Sequence, residues 1–273
     1  MYDVSGFINA REDALLRKRQ FLDAVGPLLA LAVLFAGWEA AVVLFGVSEI
    51  MLPKPSRIFI EIVDRAPMLA LHASSTVTII LSGFTLSVAI AIPLALAISF
   101  ISIVRRVVYP IVVFSQLIPK IAIAPLFIIW FGFGVLPKVL ITFLISFFPI
   151  LIQAIVGFTS IRPEPIRVAR SMGAGPFDMF LRIRLPHALP NLFAGLKMSM
   201  AAAAIGAIVS EFIASSRGLG YLVLVANGEM NSPLAFSGMM LLSLIGIVLY
   251  FAVEMIQRLA TPWDIAQRRS TPN

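Results

Sequence analysis

Two long stretches of this chain carry no charge at all, Ala73 to Val104 and Val139 to Ile161. Crossing a bilayer takes about 20 consecutive apolar residues, so each run is long enough. Lipid offers the backbone no hydrogen-bond partners, so a run at that depth folds as a helix whose amides pair internally. Composition extends the constraint to the whole chain. Hydrophobic residues make up 60% and charged residues 13%, against about 25% charged in a soluble domain, and the mean hydropathy is +0.99. With 273 residues there is room for one membrane domain and little else. The expected fold is an all-α polytopic membrane bundle. Cysteine is absent, which excludes disulfides, thiol catalysis and Cys-ligated metals.

Hydropathy predicts about six spans, near 26–46, 75–102, 107–131, 136–158, 190–213 and 234–257. The organisation that follows is an N-terminal arm (1–25), a membrane domain (26–258) and a C-terminal tail (259–273). The segment REDALLRKRQ precedes the first span and no small-residue cleavage site follows it, which reads as an uncleaved arm. With the N-terminus inside, 14 of the 21 Lys and Arg residues fall on the inner face and five outside, Lys54, Arg57, Arg65, Lys138 and Arg217. That bias places both termini in the cytoplasm. The basic charge is an orientation signal and not a nucleic-acid footprint, because no basic segment interleaves with base-stacking aromatics. Lipid is the surrounding partner.

Between the fourth and fifth spans lies RPEPIRVARSMGAGPFDMFLRIRLPHALP, residues 162–190. Pro163 and Pro165 pre-set a first helical turn. Gly173 suits a helix end with positive φ, and Gly175-Pro176 makes a turn. A second amphipathic helix, Phe177 to Arg184, is expected to stop at Pro186. The result is a stiff helix–turn–helix knob on the cytoplasmic side. Met172, Phe177 and Phe180 offer it apolar contacts, and Arg167 and Arg170 reach for carboxylates or carbonyls.

The spacing of the knob resembles the cytoplasmic loop of ABC importer permeases, which reads Glu-Ala-Ala, three residues, Gly, nine residues, Ile, any residue, Leu-Pro. Ala169, Gly173, Ile183, Leu185 and Pro186 match it, while Arg167 and Val168 stand where the family has Glu and Ala. Further similar pieces are LPKPSRI at 52–58, IPKIAIAPLFIIWFGFG at 118–134, SSRGLGYL at 215–222 and PWD at 262–264. They resemble the nitrate, sulfonate and taurine branch, which includes importers of thiamine-precursor pyrimidines. The resemblance implies a permease of the bacterial inner membrane, working with two cytoplasmic ATPases, a second permease and an extracytoplasmic binding protein. A homodimer is the simpler pairing. ATP and Mg would belong to the ATPase, leaving this chain without a cofactor. The ATPase-coupling residues would be Arg167, Ala169, Arg170, Met172, Gly173, Ala174, Phe177, Ile183, Leu185 and Pro186.

The third span is irregular. Pro119 and Pro125 each remove a backbone donor, and Lys120 sits between them near mid-membrane. A lysine at that depth costs at least about 2.5 kcal/mol and needs a partner or a water path. One reading is a kinked helix lining a solute path, with Lys120 facing an anion. The other has Lys120 neutralised by an acid such as Glu39 or capping freed carbonyls. The fifth span is rich in small residues from Ala201 to Ala207, which lets backbones approach closely. Glu211 follows, and in the resembling family this acidic residue with its Gly-Leu-Gly-Tyr stretch closes the outer side of the path. Glu211 as an outer gate and Glu211 in a local ion pair with Arg217 are the two readings. After the first span, Ile58, Ile62 and Val63 give an apolar side between Arg57, Glu61, Asp64 and Arg65, which reads as a short amphipathic helix on the outer surface.

Other chemistries find no support. There is no Gly-x-x-x-x-Gly-Lys-Ser/Thr loop for ATP, and no Ser-His-Asp set shares one depth. His72 and His187 fall on opposite faces, too far apart to share a metal. Enzyme activity in this chain is not expected. An ion-coupled secondary transporter remains the alternative reading, although it calls for intramembrane acids and often an internal repeat.

Overall fold

The computed structural model describes residue 26 and residues 29–263, and the described residues fold into helices alone. The N-terminal arm, the last ten residues and the Asp264 of the PWD match lie outside the described residues. In chain order the helices are α1 (Leu29–Leu44), α2 (Pro55–Asp64), α3 (Ala66–Phe100), α4 (Ser102–Gln116), α5 (Lys120–Phe131), α6 (Val135–Thr159), α7 (Pro163–Ser171), α8 (Pro176–Met179), α9 (Leu185–Ala214), α10 (Leu219–Gly228) and α11 (Ser232–Ala260).

Four helical stretches are long and apolar enough to cross a membrane on their own. The bent pair α4–α5 makes a fifth if it is taken as one span, and α1 is a shorter apolar helix. Among the described residues, four or five crossings thus stand against the six expected, with shifted ends. The second begins at Ala66 and not near 75, and the last runs on to Ala260. The largest change is at the fifth. The expected stop at Pro186 does not occur, because residues Phe180–Arg184 form a π-turn that leads straight into α9. A wider turn absorbs the missing proline donor without ending the helix.

The core is built on α6, flanked by α3 and α9. Gly83 of α3 abuts Thr142 of α6, and Gly206 of α9 faces the same threonine from the other side. One turn on, the Ser87 and Ser146 hydroxyls bond at 2.7 Å, and Ser199 donates to the Ser146 carbonyl at 2.5 Å. Gly195 sits against Pro149 and Gln153, and Gly157 against Ala188. Small side chains at each level let the three helices approach to backbone contact, and hydroxyls pair where the helices meet. Ile150, Leu151 and Ala154 of α6 complete the apolar core with Ala91, Ala95 and Ile98 of α3.

The helix α2 lies across one end of the bundle. It turns Pro55, Ile58 and Glu61 inward, with Ile62 packed on the cluster formed by α10 and α11. Val63, expected on the apolar side, points outward and is exposed. Glu39 on α1 accepts the Ser56 amide at 3.0 Å and its hydroxyl at 2.8 Å. That carboxylate satisfies the first turn of α2 and does not partner Lys120.

Candidate docking and translocation sites

At one end of the bundle the chain projects the knob. Gly173 ends α7 with φ +82°. Its N–H bonds the Arg170 carbonyl at 3.1 Å, and the Ala174 N–H bonds the Ala169 carbonyl at 3.0 Å. This pair of bonds is the Schellman arrangement, which satisfies the last carbonyls and turns the chain sharply. Glu164 lies in the first turn and Arg170 in the last, each favourable to the helix dipole. The outer surface is unusual for a polar loop, with Met172 at 81% exposure and Phe177 at 72%. Arg167 and Arg170 are exposed beside them, whereas Ala169, Ala174, Ile183, Leu185 and Pro186 are half-buried.

The knob is fixed to the bundle by the side that faces away from solvent. Met179 is buried. Phe180 stacks on Phe158 with ring centroids 6.2 Å apart and meets Phe100 edge-on at 6.0 Å. Phe180 therefore anchors the knob and is not one of its free apolar contacts. The Arg184 guanidinium covers Phe100 at 4.7 Å. Asp178 and Arg182 pair at 3.5 Å on the exposed face, as their spacing predicts.

The third span is broken and not merely kinked. The axes of α4 and α5 differ by 98°. Pro119 stands immediately before α5 with extended backbone, and it disfavours helical geometry at the preceding residue. Pro125, expected to contribute a kink, lies inside a continuous α5. Lys120 opens α5, donates to the Gln116 carbonyl at 3.2 Å and lies 4.6 Å from the Phe148 ring centroid. It caps a carbonyl freed by the break and rests on an aromatic face. None of the ion pairs among the described residues includes it.

The opposite end of the bundle holds a buried polar cluster. Glu211 near the end of α9 has no exposed surface. One carboxylate oxygen accepts the Thr76 hydroxyl at 2.8 Å, and the other accepts the Gly220 amide at 2.7 Å. His72 Nδ1 lies 3.1 Å from the Gly218 amide nitrogen, and its ring stacks on Tyr221. The chain passes so close to the carboxylate that a Cβ on Gly218 would occupy the same space. The ion pair with Arg217 of the second reading is absent, since Arg217 is exposed and Glu211 turns inward. Lys138 joins this end as well. Counted on the outer face at the start of the fourth span, it lies near the start of α6 at 7% exposure, a burial the sequence did not signal. Its Nζ donates to Ser215 at 3.0 Å. A charged residue at a helix start beside the Gly-Val-Leu-Pro segment 134–137 gave no sign of burial. Only the approach of the 215–220 connection covers it.

Along α9, Met198, Ile205 and Phe212 are exposed on one side. Between α9 and α11 lies an apolar cleft of about 770 Å³, with Ala201, Ala204, Gly246 and Tyr250 among its walls. No group of three or more His, Cys, Asp or Glu among the described residues is arranged to hold a metal.

The architecture is shared with known transporters. Its fold is similar to a chain of the MetNI methionine ABC transporter in an inward-facing conformation, with a TM-score of 0.62 over 72% of this chain and 98% of that one at 19% identity. The sequence is 34% identical over 247 residues to the formylaminopyrimidine transport permease protein ThiX of Halalkalibacterium halodurans, spanning 90% of this chain and 98% of that protein. It is 36% identical over 244 residues to the riboflavin transport system permease protein RibX of Chloroflexus aurantiacus, spanning 88% and 91%. It is 29% identical over 252 residues to the taurine transport system permease protein TauC of Escherichia coli, spanning 90% of each. A family described as the binding-protein-dependent transport system inner membrane component matches residues 83–263. The chain is therefore a transport permease of the ABC importer type and not a catalytic enzyme, and it belongs to the family of binding-protein-dependent transport system inner membrane components.

Proposed function

We propose that this chain forms the translocation path for a small anionic solute, of the sulfonate, taurine, nitrate or pyrimidine-precursor kind. Separate cytoplasmic ATPases carry ATP and Mg and drive it. The observation that carries the coupling role is the knob, anchored through Phe180 while Met172 and Phe177 stand uncovered. A stiff projection with an uncovered apolar tip fits a cleft on a partner, and large exposed apolar surfaces mark such contacts. Arg167 and Arg170 supply charge beside that tip. Closure of the ATPase pair on ATP moves the knob, and the rigid Schellman turn at Gly173 passes the displacement to α9 without absorbing it.

A second copy of the chain completes the path. The exposed side of α9 and the cleft against α11 leave apolar surface uncovered within one copy, and a two-fold dimer is the commonest way to cover such a surface. The broken span with Pro119, Lys120 and Pro125 lines the path, since a break at membrane depth is tolerated inside protein or beside a wet cavity. Glu211 holds the outer closure. Both termini lie in the cytoplasm, and an extracytoplasmic binding protein delivers the solute to the end bearing α2 and α10.

Affinity purification from the native membrane in mild detergent tests the reading. An ATPase at one copy per permease is expected, with the binding protein alongside. The Gly173→Asp variant is expected to insert normally but to lose coupling of ATP hydrolysis to uptake. A folded chain that never brings down an ATPase would refute the assignment.

A further inference from the structure

The end of the bundle that holds Glu211 also holds a cavity of about 430 Å³, bounded by Phe133, Gly134, Lys138, Ile213, Ser215 and Ser216. Lys138 is the unusual member. It is 7% exposed, and a buried ammonium is costly unless an opposite charge or a full set of acceptors compensates it. An ammonium carries three donors, and Lys138 Nζ makes one hydrogen bond, to Ser215 Oγ. Ser215 cannot offer more, because the same oxygen donates to the Arg217 carbonyl and accepts the Arg217 amide at 3.2 Å.

Two other charged groups face this region. Glu211 lies within electrostatic reach of Lys138. Its two oxygens are taken by Thr76 and Gly220, and it forms no ion pair with Lys138 among the described residues. Arg217 is exposed and adds positive charge at the rim. The cavity thus has a desolvated cation in its wall with two unused donors, the exposed Ser216 beside it and apolar surface from Phe133 and Ile213.

We propose that this cavity binds the anionic group of a small organic solute, a sulfonate or a carboxylate. Lys138 is the charge partner, the Ser216 hydroxyl a second donor, and Phe133 and Ile213 the contact for the carbon skeleton. The inference rests on the importer reading and names the first contact inside the permease. Lys120 is less suited to that role, because its ammonium already caps Gln116 and rests on Phe148.

The test uses the native absence of cysteine. Ser216→Cys places one thiol at the cavity, in membrane vesicles holding the full chain with its partners. Labelling rates are measured for the 2-sulfonatoethyl and 2-(trimethylammonio)ethyl methanethiosulfonates, each normalised to the rate with 2-mercaptoethanol. A cleft that focuses positive potential raises the local anion concentration by about tenfold or more, so the sulfonate reagent is expected to be favoured by that factor. Methanesulfonate is expected to slow its reaction. The preference is expected to survive Arg217→Gln and Lys138→Arg and to vanish in Lys138→Met. Equal normalised rates, no labelling by either reagent, or a preference lost with Arg217→Gln would overturn the site. The first two of these outcomes are read with Lys138 intact, so a folding defect in Lys138→Met leaves the test decisive. ATPase co-purification is scored on the same vesicles, which separates failure of this site from failure of the importer reading.

Discussion

Thr76 on α3 donates its hydroxyl to Glu211 on α9 at 2.8 Å, and the same oxygen accepts the Leu219 amide at 2.8 Å. One side chain thereby joins two spans and the start of α10. Thr76→Val keeps the volume and removes the hydroxyl, leaving a buried carboxylate oxygen and a buried amide without partners. The expected loss is about 1–3 kcal/mol of stability. Thermal unfolding in mild detergent measures it, with Thr76→Ser close to wild type as the control.

Gly218 and Gly46 separate two kinds of glycine requirement. Gly218 has φ +118°, and its Cβ position is filled by the Glu211 carboxylate, whereas Gly46 has φ +61° and open space around it. Gly46→Ala is expected to cost about 1–2 kcal/mol from the backbone conformation alone. Gly218→Ala must also displace a buried, hydrogen-bonded carboxylate, so its yield of monodisperse protein is expected to fall well below that of Gly46→Ala. Size-exclusion chromatography of the two variants side by side decides the order.

Phe177 and Phe180 are three residues apart and differ in role. Phe180→Ala removes the stacking on Phe158 and Phe100 and is expected to cost about 3 kcal/mol of stability at most, since the ring is only half-buried. Phe177→Glu changes an exposed position and is expected to move stability by no more than about 0.5 kcal/mol. The ATPase bound per permease should drop in Phe177→Glu even though the fold is intact. An unchanged ATPase yield in that variant would remove Phe177 from the docking surface.

Lys120→Met keeps the length of the side chain and its contact with Phe148 while deleting the charge and the cap on Gln116. Uptake of an anionic solute is expected to fall, with the permease still inserted and still bound to its ATPase. Uptake at the wild-type rate would mean that Lys120 serves the break in the span and not the solute.

The membrane setting, the helical fold and the knob were all legible along the chain, because each depends on local pattern. Charge-free runs longer than a bilayer force helices. The prolines at 163 and 165 and the glycine at 173 set the knob through their own backbone preferences, and the positive φ at Gly173 follows from them. Tertiary structure decided what depends on who stands opposite. The burial of Lys138, the inward turn of Glu211 toward Thr76 and Gly220, and the anchoring face of Phe180 involve partners from 9 to 135 residues away. Helix periodicity reports which side of a helix is apolar, and a buried charge or a small residue leaves no such stripe. Those contacts exist only because small residues on α3, α6 and α9 let three backbones close on one another, and that closure fixes where every polar group at the bundle's ends must find its partner.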